Sequence, residues 1–175
     1  ESTGTTVDTV SDRFGVRKIE ARGHGLLLNG EPLIIKGASR YDEVDPYGPV
    51  VPEDVLRDDL LKMKRLGMNT VRNHYPQDPL VPKLLDEIGM LLMVDVPLCW
   101  WRIGFFGELP ALDDDAIIAQ AEAALEAMVK RDFNHPSLII WSMANECGTD
   151  SEPGISAMRR LIARARALDP TRLIT

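Results

Sequence analysis

Residues Leu138-Ile139-Ile140-Trp141-Ser142-Met143 form a nearly unbroken apolar run, and Ala144-Asn145-Glu146 follow it at once. A strand with one face in water alternates apolar and polar residues. This run does not, so it reads as a short strand covered on both faces, as in a parallel sheet flanked by helices. Leu33 to Ala38, Asn69 to Arg72 and Met90 to Asp95 read as further short strands, and Arg172 to Thr175 looks like the start of another. Longer helical patterns separate them. That alternation is the mark of an α/β fold whose parallel strands are joined by helices.

The helical segments carry their own punctuation. Pro52 to Leu66 places Val55, Leu56, Leu60, Met63 and Leu66 at helical spacing, with Gly67 as the stop. Pro79 to Ile88 has Asp78 in a capping position, Pro79 at the first helical place and Gly89 past the end. Asp113 to Arg131 opens with three aspartates and closes on Lys130 and Arg131, each sign at the terminus where the helix dipole favours it. Pro153 to Leu168 is the fourth helix. Arg159, Arg160, Arg164 and Arg166 on it read as a solvated face.

Several segments together resemble one known family, the glycoside hydrolases of family 2. Asn134-His135-Pro136-Ser137, the apolar run, Trp141-Ser142 and Asn145-Glu146 are similar to the strand that bears that family's acid/base residue. Asp12-Arg13-Phe14-Gly15-Val16-Arg17 resembles its lead into the catalytic barrel, and Leu28-Asn29-Gly30-Glu31-Pro32-Leu33 resembles its hairpin. Lys36-Gly37-Ala38-Ser39-Arg40, Met68-Asn69-Thr70-Val71-Arg72, His74-Tyr75-Pro76 and Asp86-Glu87-Ile88-Gly89 continue the series in unbroken order. The resemblance implies a (β/α)8, or TIM, barrel. Such a barrel takes about 250 residues, and this chain has 175. The expected fold is therefore a (β/α)4 half of a TIM barrel over residues 12–175, comprising four strand-helix units and the start of a fifth strand behind a short β-hairpin. Residues 1–11 are expected to be a disordered lead-in or the remnant of a preceding domain.

The resemblance assigns chemistry residue by residue. Glu146 corresponds to the acid/base and Asn145 to the residue that bonds the sugar hydroxyl beside the anomeric carbon. The nucleophile of the family is a glutamate on its seventh barrel strand, which this chain does not contain. Arg72 and Asp95 end strands at the same mouth, although Asp95 stands where the family usually has a glutamate. His74 is expected to touch substrate or to serve as an ordinary structural hydrogen-bonding residue. Trp101, with Trp100, Phe105 and Phe106, either stacks on a sugar ring or covers an exposed core. Two departures fall at the sugar pocket. Arg40-Tyr41-Asp42 replaces an Arg-His-Glu pattern, and Arg72-Asn73-His74-Tyr75-Pro76 is one residue shorter than Arg-Thr-Ser-His-Tyr-Pro.

Composition narrows the partners. A net charge of −7 disfavours phosphate backbones and anionic membranes. No apolar run approaches the roughly 18 residues of a membrane span, and Glu1 to Thr9 lacks the apolar core of a secretion signal. His24, His74 and His135 are too far apart to form a ligand-spaced pair, so neither metal nor other cofactor is expected. Cys99 and Cys147 each follow a strand end and read as two free thiols near one mouth, which leaves the compartment open. The partners expected are a carbohydrate substrate and either the missing half of the barrel or a second copy. In the first case the chain is part of a retaining β-glycoside hydrolase and inactive alone. In the second it is a free-standing half-barrel that homodimerises as a structural or binding module, pairing its bare sheet edges.

Overall fold

The computed structural model describes residues 8–99, 112 and 114–175. An antiparallel sheet comes first, with β1 (Ile19–Arg22), β2 (Gly25–Leu28) and β3 (Glu31–Leu33) in the order β1-β2-β3. Leu28 pairs with Glu31 across Asn29 and Gly30, whose φ angles are 53° and 89°. A two-residue loop that matches strand twist needs positive φ at both places, and Asn-Gly supplies it at the least cost.

A second sheet of five strands follows: β4 (Gly37–Arg40), β5 (Thr70–Asn73), β6 (Leu91–Asp95), β7 (Leu138–Ser142) and β8 (Leu173–Ile174). Its order is the order of the sequence, and every adjacent pair is parallel. The helices α1 (Glu53–Arg65), α2 (Leu80–Ile88), α3 (Asp115–Asp132) and α4 (Glu152–Leu168) form the crossovers. The sheet is open, with β4 and β8 at its edges.

One expected boundary is wrong. The run Leu33 to Ala38 reads in sequence as a single strand, whereas in the structure Leu33 closes β3 and the parallel strand begins at Gly37. The segment between them is a junction pinned by Asn69, whose amide donates to the Ile34 carbonyl and accepts from the Lys36 N–H, both at 2.8 Å. Gly37 then passes so close to β5 that a Cβ there would sit 2.5 Å from the Thr70 carbonyl oxygen. An apolar run can thus span two sheets when a polar side chain from elsewhere ties its middle.

Capping explains the helix limits. Asp114 and Ser151 accept from the N–H groups of Ala116 and Gly154, and Asp78 accepts from Leu80 N–H at 2.8 Å, one residue earlier than a standard cap. Gly89 ends α2 in the left-handed region at φ 74°. The arginines of α4 are exposed, as expected, and two of them bind the neighbouring helix: Arg160 pairs with Asp115 and Glu122, and Arg164 with Glu126.

Between helices and sheet lies the main core, built on Leu60, Val71, Leu84, Leu85, Leu92, Leu125, Trp141 and Leu161, all without solvent exposure. The opposite sheet face is partly covered by the antiparallel sheet, whose Ile19, Leu28 and Leu33 pack with Met93, Ile139, Ile140 and Leu173. Beyond that cover a cleft of about 300 Å³ remains, lined by Ile35, Ser39, Thr70, Arg72, Met93 and Ile140 among others.

A buried polar hub anchors β7 from the helix side. Trp141 Nε1 donates to Asp169 at 2.9 Å, and Arg172 donates to the same carboxylate at 2.6 Å. Arg172 also donates to the carbonyls of Leu138, Phe133 and His135, and its guanidinium lies 5.6 Å from both the Phe133 and Trp141 rings. Burial pushes the Asp169 carboxyl up, but hydrogen bonds from Thr171, Trp141 and Arg172 outweigh it and hold the group down at about 2. At the other end of the same loop, His135 Nδ1 bonds Asp86 at 2.6 Å, and Asp86 accepts from Ser137 N–H. The expected lead-in at residues 12–17 meets this region too. Gly15 lies against the Pro136 ring, and Arg17 donates to the carbonyls of Leu138 and Thr171.

Candidate active site

Parallel strands deliver their C-terminal ends to one edge of the sheet, where side chains distant in sequence converge. Arg72 on β5 and Asp95 on β6 meet there in a two-pronged pair: Nε donates to Oδ1 at 3.2 Å and Nη2 to Oδ2 at 2.5 Å. Asp95 is fully buried, and the planar guanidinium matches its carboxylate prong for prong, the strongest form of such a contact. Arg72 Nη2 also donates to Asn145 Oδ1 at 2.7 Å. Three of the residues expected from sequence thus form one connected unit.

Asn145 is placed by backbone as well as side chain. It lies past the end of β7, pairs with Cys99 in an isolated parallel bridge, and donates its N–H to the Leu98 carbonyl at 2.9 Å. Its amide nitrogen donates to Cys99 Sγ at 3.1 Å, and the residue is only 5% exposed. Neither expected thiol is in a disulfide, and both flank this spot, with Cys147 Sγ near the carbonyls of Leu98 and Asn145.

Glu146 follows directly. It is exposed, and its φ of 48° lies in the left-handed region, which costs a non-glycine residue on the order of 1 kcal/mol or more. Such strain persists only where neighbours hold the backbone. Here the fixed Asn145 on one side and the Cys147 contacts on the other do so, where the chain leaves β7.

The mouth continues at β4. Arg40 is buried and binds Asp42 at 3.2 Å, Asp59 at 3.1 Å and Gln77 Oε1 at 3.1 Å. Burial pushes the Asp42 carboxyl up, against the pull of Arg40. His74 is 9% exposed and stacks on Tyr41, ring centroids 4.9 Å apart and planes 20° from parallel. Among the described residues it is not part of the Arg72, Asp95, Asn145 unit. Trp101, with Trp100, Phe105 and Phe106, lies outside the described residues. Cys99 and Arg40 were not expected as site residues. Arg40 ends its strand as Arg72 does, and that parallel was the available signal; for Cys99 the signal was its place just past a strand end at the same mouth.

The described residues contain no group of three or more His, Cys, Asp or Glu side chains able to hold a metal ion, and no helix long and apolar enough to cross a membrane. The arrangement offers an exposed glutamate next in sequence to an amide that a guanidinium holds, residue types that suit proton delivery to an oxygen and hydrogen bonding to neutral hydroxyls.

Comparison with known proteins gives concordant results. The family model described as "Glycosyl hydrolases family 2, TIM barrel domain" matches residues 19–175. The β-galactosidase of Aeromonas hydrophila is 39% identical over 173 residues, which is 97% of this chain and 16% of that protein. A β-galacturonidase of Eisenbergiella tayi, solved with galacturonate bound, superposes with a TM-score of 0.83 at 31% identity, covering 93% of this chain and 28% of that one. The β-D-glucuronidase of Dictyoglomus thermophilum superposes with a TM-score of 0.86 at 28% identity, covering 92% and 28%. The chain spans well under a third of each relative.

Proposed function

This chain belongs to the glycosyl hydrolases of family 2, and from that premise we propose that it is a (β/α)4 part of the catalytic barrel of a retaining β-glycoside hydrolase, with Glu146 as acid/base. The observation that carries the reading is the pairing of Glu146, on a strained backbone at the strand end, with an Asn145 amide fixed by Arg72 and Asp95. In the proposed reaction protonated Glu146 gives its proton to the glycosidic oxygen as the bond to the anomeric carbon breaks. A second carboxylate, about 5 to 5.5 Å away, attacks that carbon from the other side. Glu146, now ionised, takes a proton from water as water displaces the enzyme carboxylate. The nucleophile comes from a strand beyond the five seen here. Arg72 and Asn145 face substrate, and Asp95 holds Arg72.

Such a chain alone is inactive, because losing a nucleophile removes orders of magnitude of rate. The test measures release of 4-nitrophenol from its β-D-galactoside and β-D-glucuronide. Background rates, unchanged in Glu146→Gln, are expected. Strong turnover abolished by that substitution would overturn the reading.

The homodimer remains the second reading, favoured by the open edges of β4 and β8 and the apolar lining Ile35, Met93 and Ile140 of the cleft. It meets one geometric objection. Two copies bring ten strands, so an eight-stranded ring requires β8 to leave the sheet in each. Completion by the rest of the same barrel needs no such displacement.

A further inference from the structure

Within the proposed glycosidase site, on which this inference rests, Cys99 has an unassigned part. An asparagine amide has two faces that differ only in which end accepts and which donates, so a site that uses it must fix its rotation. Arg72 supplies half of the answer. A guanidinium only donates, so the atom 2.7 Å from Arg72 Nη2 has to be the Asn145 oxygen. The amide nitrogen is thereby turned toward Cys99, whose sulfur lies 3.1 Å away and has lone pairs to receive one N–H. The backbone bridge between Cys99 and Asn145 and the bond from Asn145 N–H to Leu98 set the approach of the two side chains.

We propose that Cys99 is a positioning residue: its sulfur accepts one N–H of the Asn145 amide while Arg72 holds the oxygen, so that the second N–H is presented to a sugar hydroxyl. Held at both ends, the amide meets a hydroxyl oxygen as a donor without first rotating. A side chain of similar volume that cannot accept would leave only the Arg72 end fixed, and the amide would swing about that point. Serine, shorter but able to accept, would keep the restraint in part.

The experiment uses the 15N-labelled chain with the Asn145 side-chain pair assigned by its loss in Asn145→Asp. Exchange of the two side-chain N–H protons with solvent is measured in the wild type, Cys99→Ser, Cys99→Ala and Cys99→Val. In the wild type the N–H donated to sulfur should exchange about 3- to 10-fold more slowly than its partner, in line with one modest hydrogen bond. Cys99→Ser should keep part of that difference. Cys99→Ala and Cys99→Val should both abolish it with the backbone spectrum otherwise unchanged, and Val keeps the volume should Ala fail to fold. A difference that survives in the variant without an acceptor overturns the inference. A titration with methyl β-D-galactoside and its 2-deoxy counterpart tests the underlying reading separately. Only the 2-hydroxy sugar should shift the second N–H, and indifference to both sugars would sink the glycosidase site while leaving the exchange result to decide the role of Cys99.

Discussion

Replacing Asp169 by Asn removes one charge from the hub that anchors β7 and keeps the shape. Asp169 is fully buried and Arg172 nearly so, so neither charge is screened by water. The carboxyl is held at about 2 against an ordinary 3.8. That difference of nearly two units corresponds to about 2 kcal/mol at neutral pH. Asp169→Asn should therefore cost about 2 kcal/mol, because Trp141 Nε1 can still donate to the amide oxygen. Asp169→Ala should cost more, about 3 to 5 kcal/mol, since beyond the counter-charge of Arg172, which both variants remove, it also takes away the acceptor of Trp141 Nε1 and of Thr171. Against a typical domain stability of about 5 to 15 kcal/mol these are large fractions. Urea unfolding followed by circular dichroism gives the numbers. The sign with pH is fixed: a lowered folded-state value means stability present above about 4 and lost as pH falls toward about 2. The gap between wild type and Asp169→Asn should shrink over that interval. Asp42, whose carboxyl is raised by burial, works in the opposite direction, but it does so equally in both proteins and cancels from the gap. An Asp169→Asn variant within about 0.5 kcal/mol of wild type at pH 7, a difference typical of neutral surface changes, would refute the reasoning. So would a gap that does not change with pH.

Gly37→Ala should destabilise the chain by about 1 to 3 kcal/mol in the same assay, because its Cβ would meet the Thr70 carbonyl and push β4 off β5. The chain alone should self-associate at micromolar concentration. Each apolar side chain of Leu or Ile size that is covered contributes about 1.5 to 3 kcal/mol, and Val10, Phe14 and Val16 in the N-terminal region and Ile34 and Ile35 at the junction before β4 are exposed. Sedimentation of a monomer at every concentration would count against this.

Strand identity was legible because an apolar run such as Leu138 to Met143 admits few other conformations, and helix limits were legible because Asp78, Gly67 and Gly89 are local punctuation. The junction at residues 34–36 was hidden, since its cause, the Asn69 side chain, lies 33 and 35 residues away. The site divides in the same way. Glu146, Asn145, Arg72 and Asp95 could be named from resemblance and strand-end position. The bond between Arg72 and Asn145 joins residues 73 apart and exists only once β5, β6 and β7 align. His74 was left open by the sequence between substrate contact and a structural role, and the partner its ring stacks on, Tyr41, is one that no spacing rule connects to it.

The central claim, that Glu146 is the acid/base of a barrel completed elsewhere, is tested most directly by transplantation. The segment of the β-galactosidase relative that aligns with this chain, at 39% identity, is exchanged for it, and galactoside turnover is followed with and without Glu146→Gln. Turnover in the chimera that falls by about 100-fold or more in Glu146→Gln, the scale of a lost general acid, is the expected result. A chimera equally active with the glutamine would contradict the account.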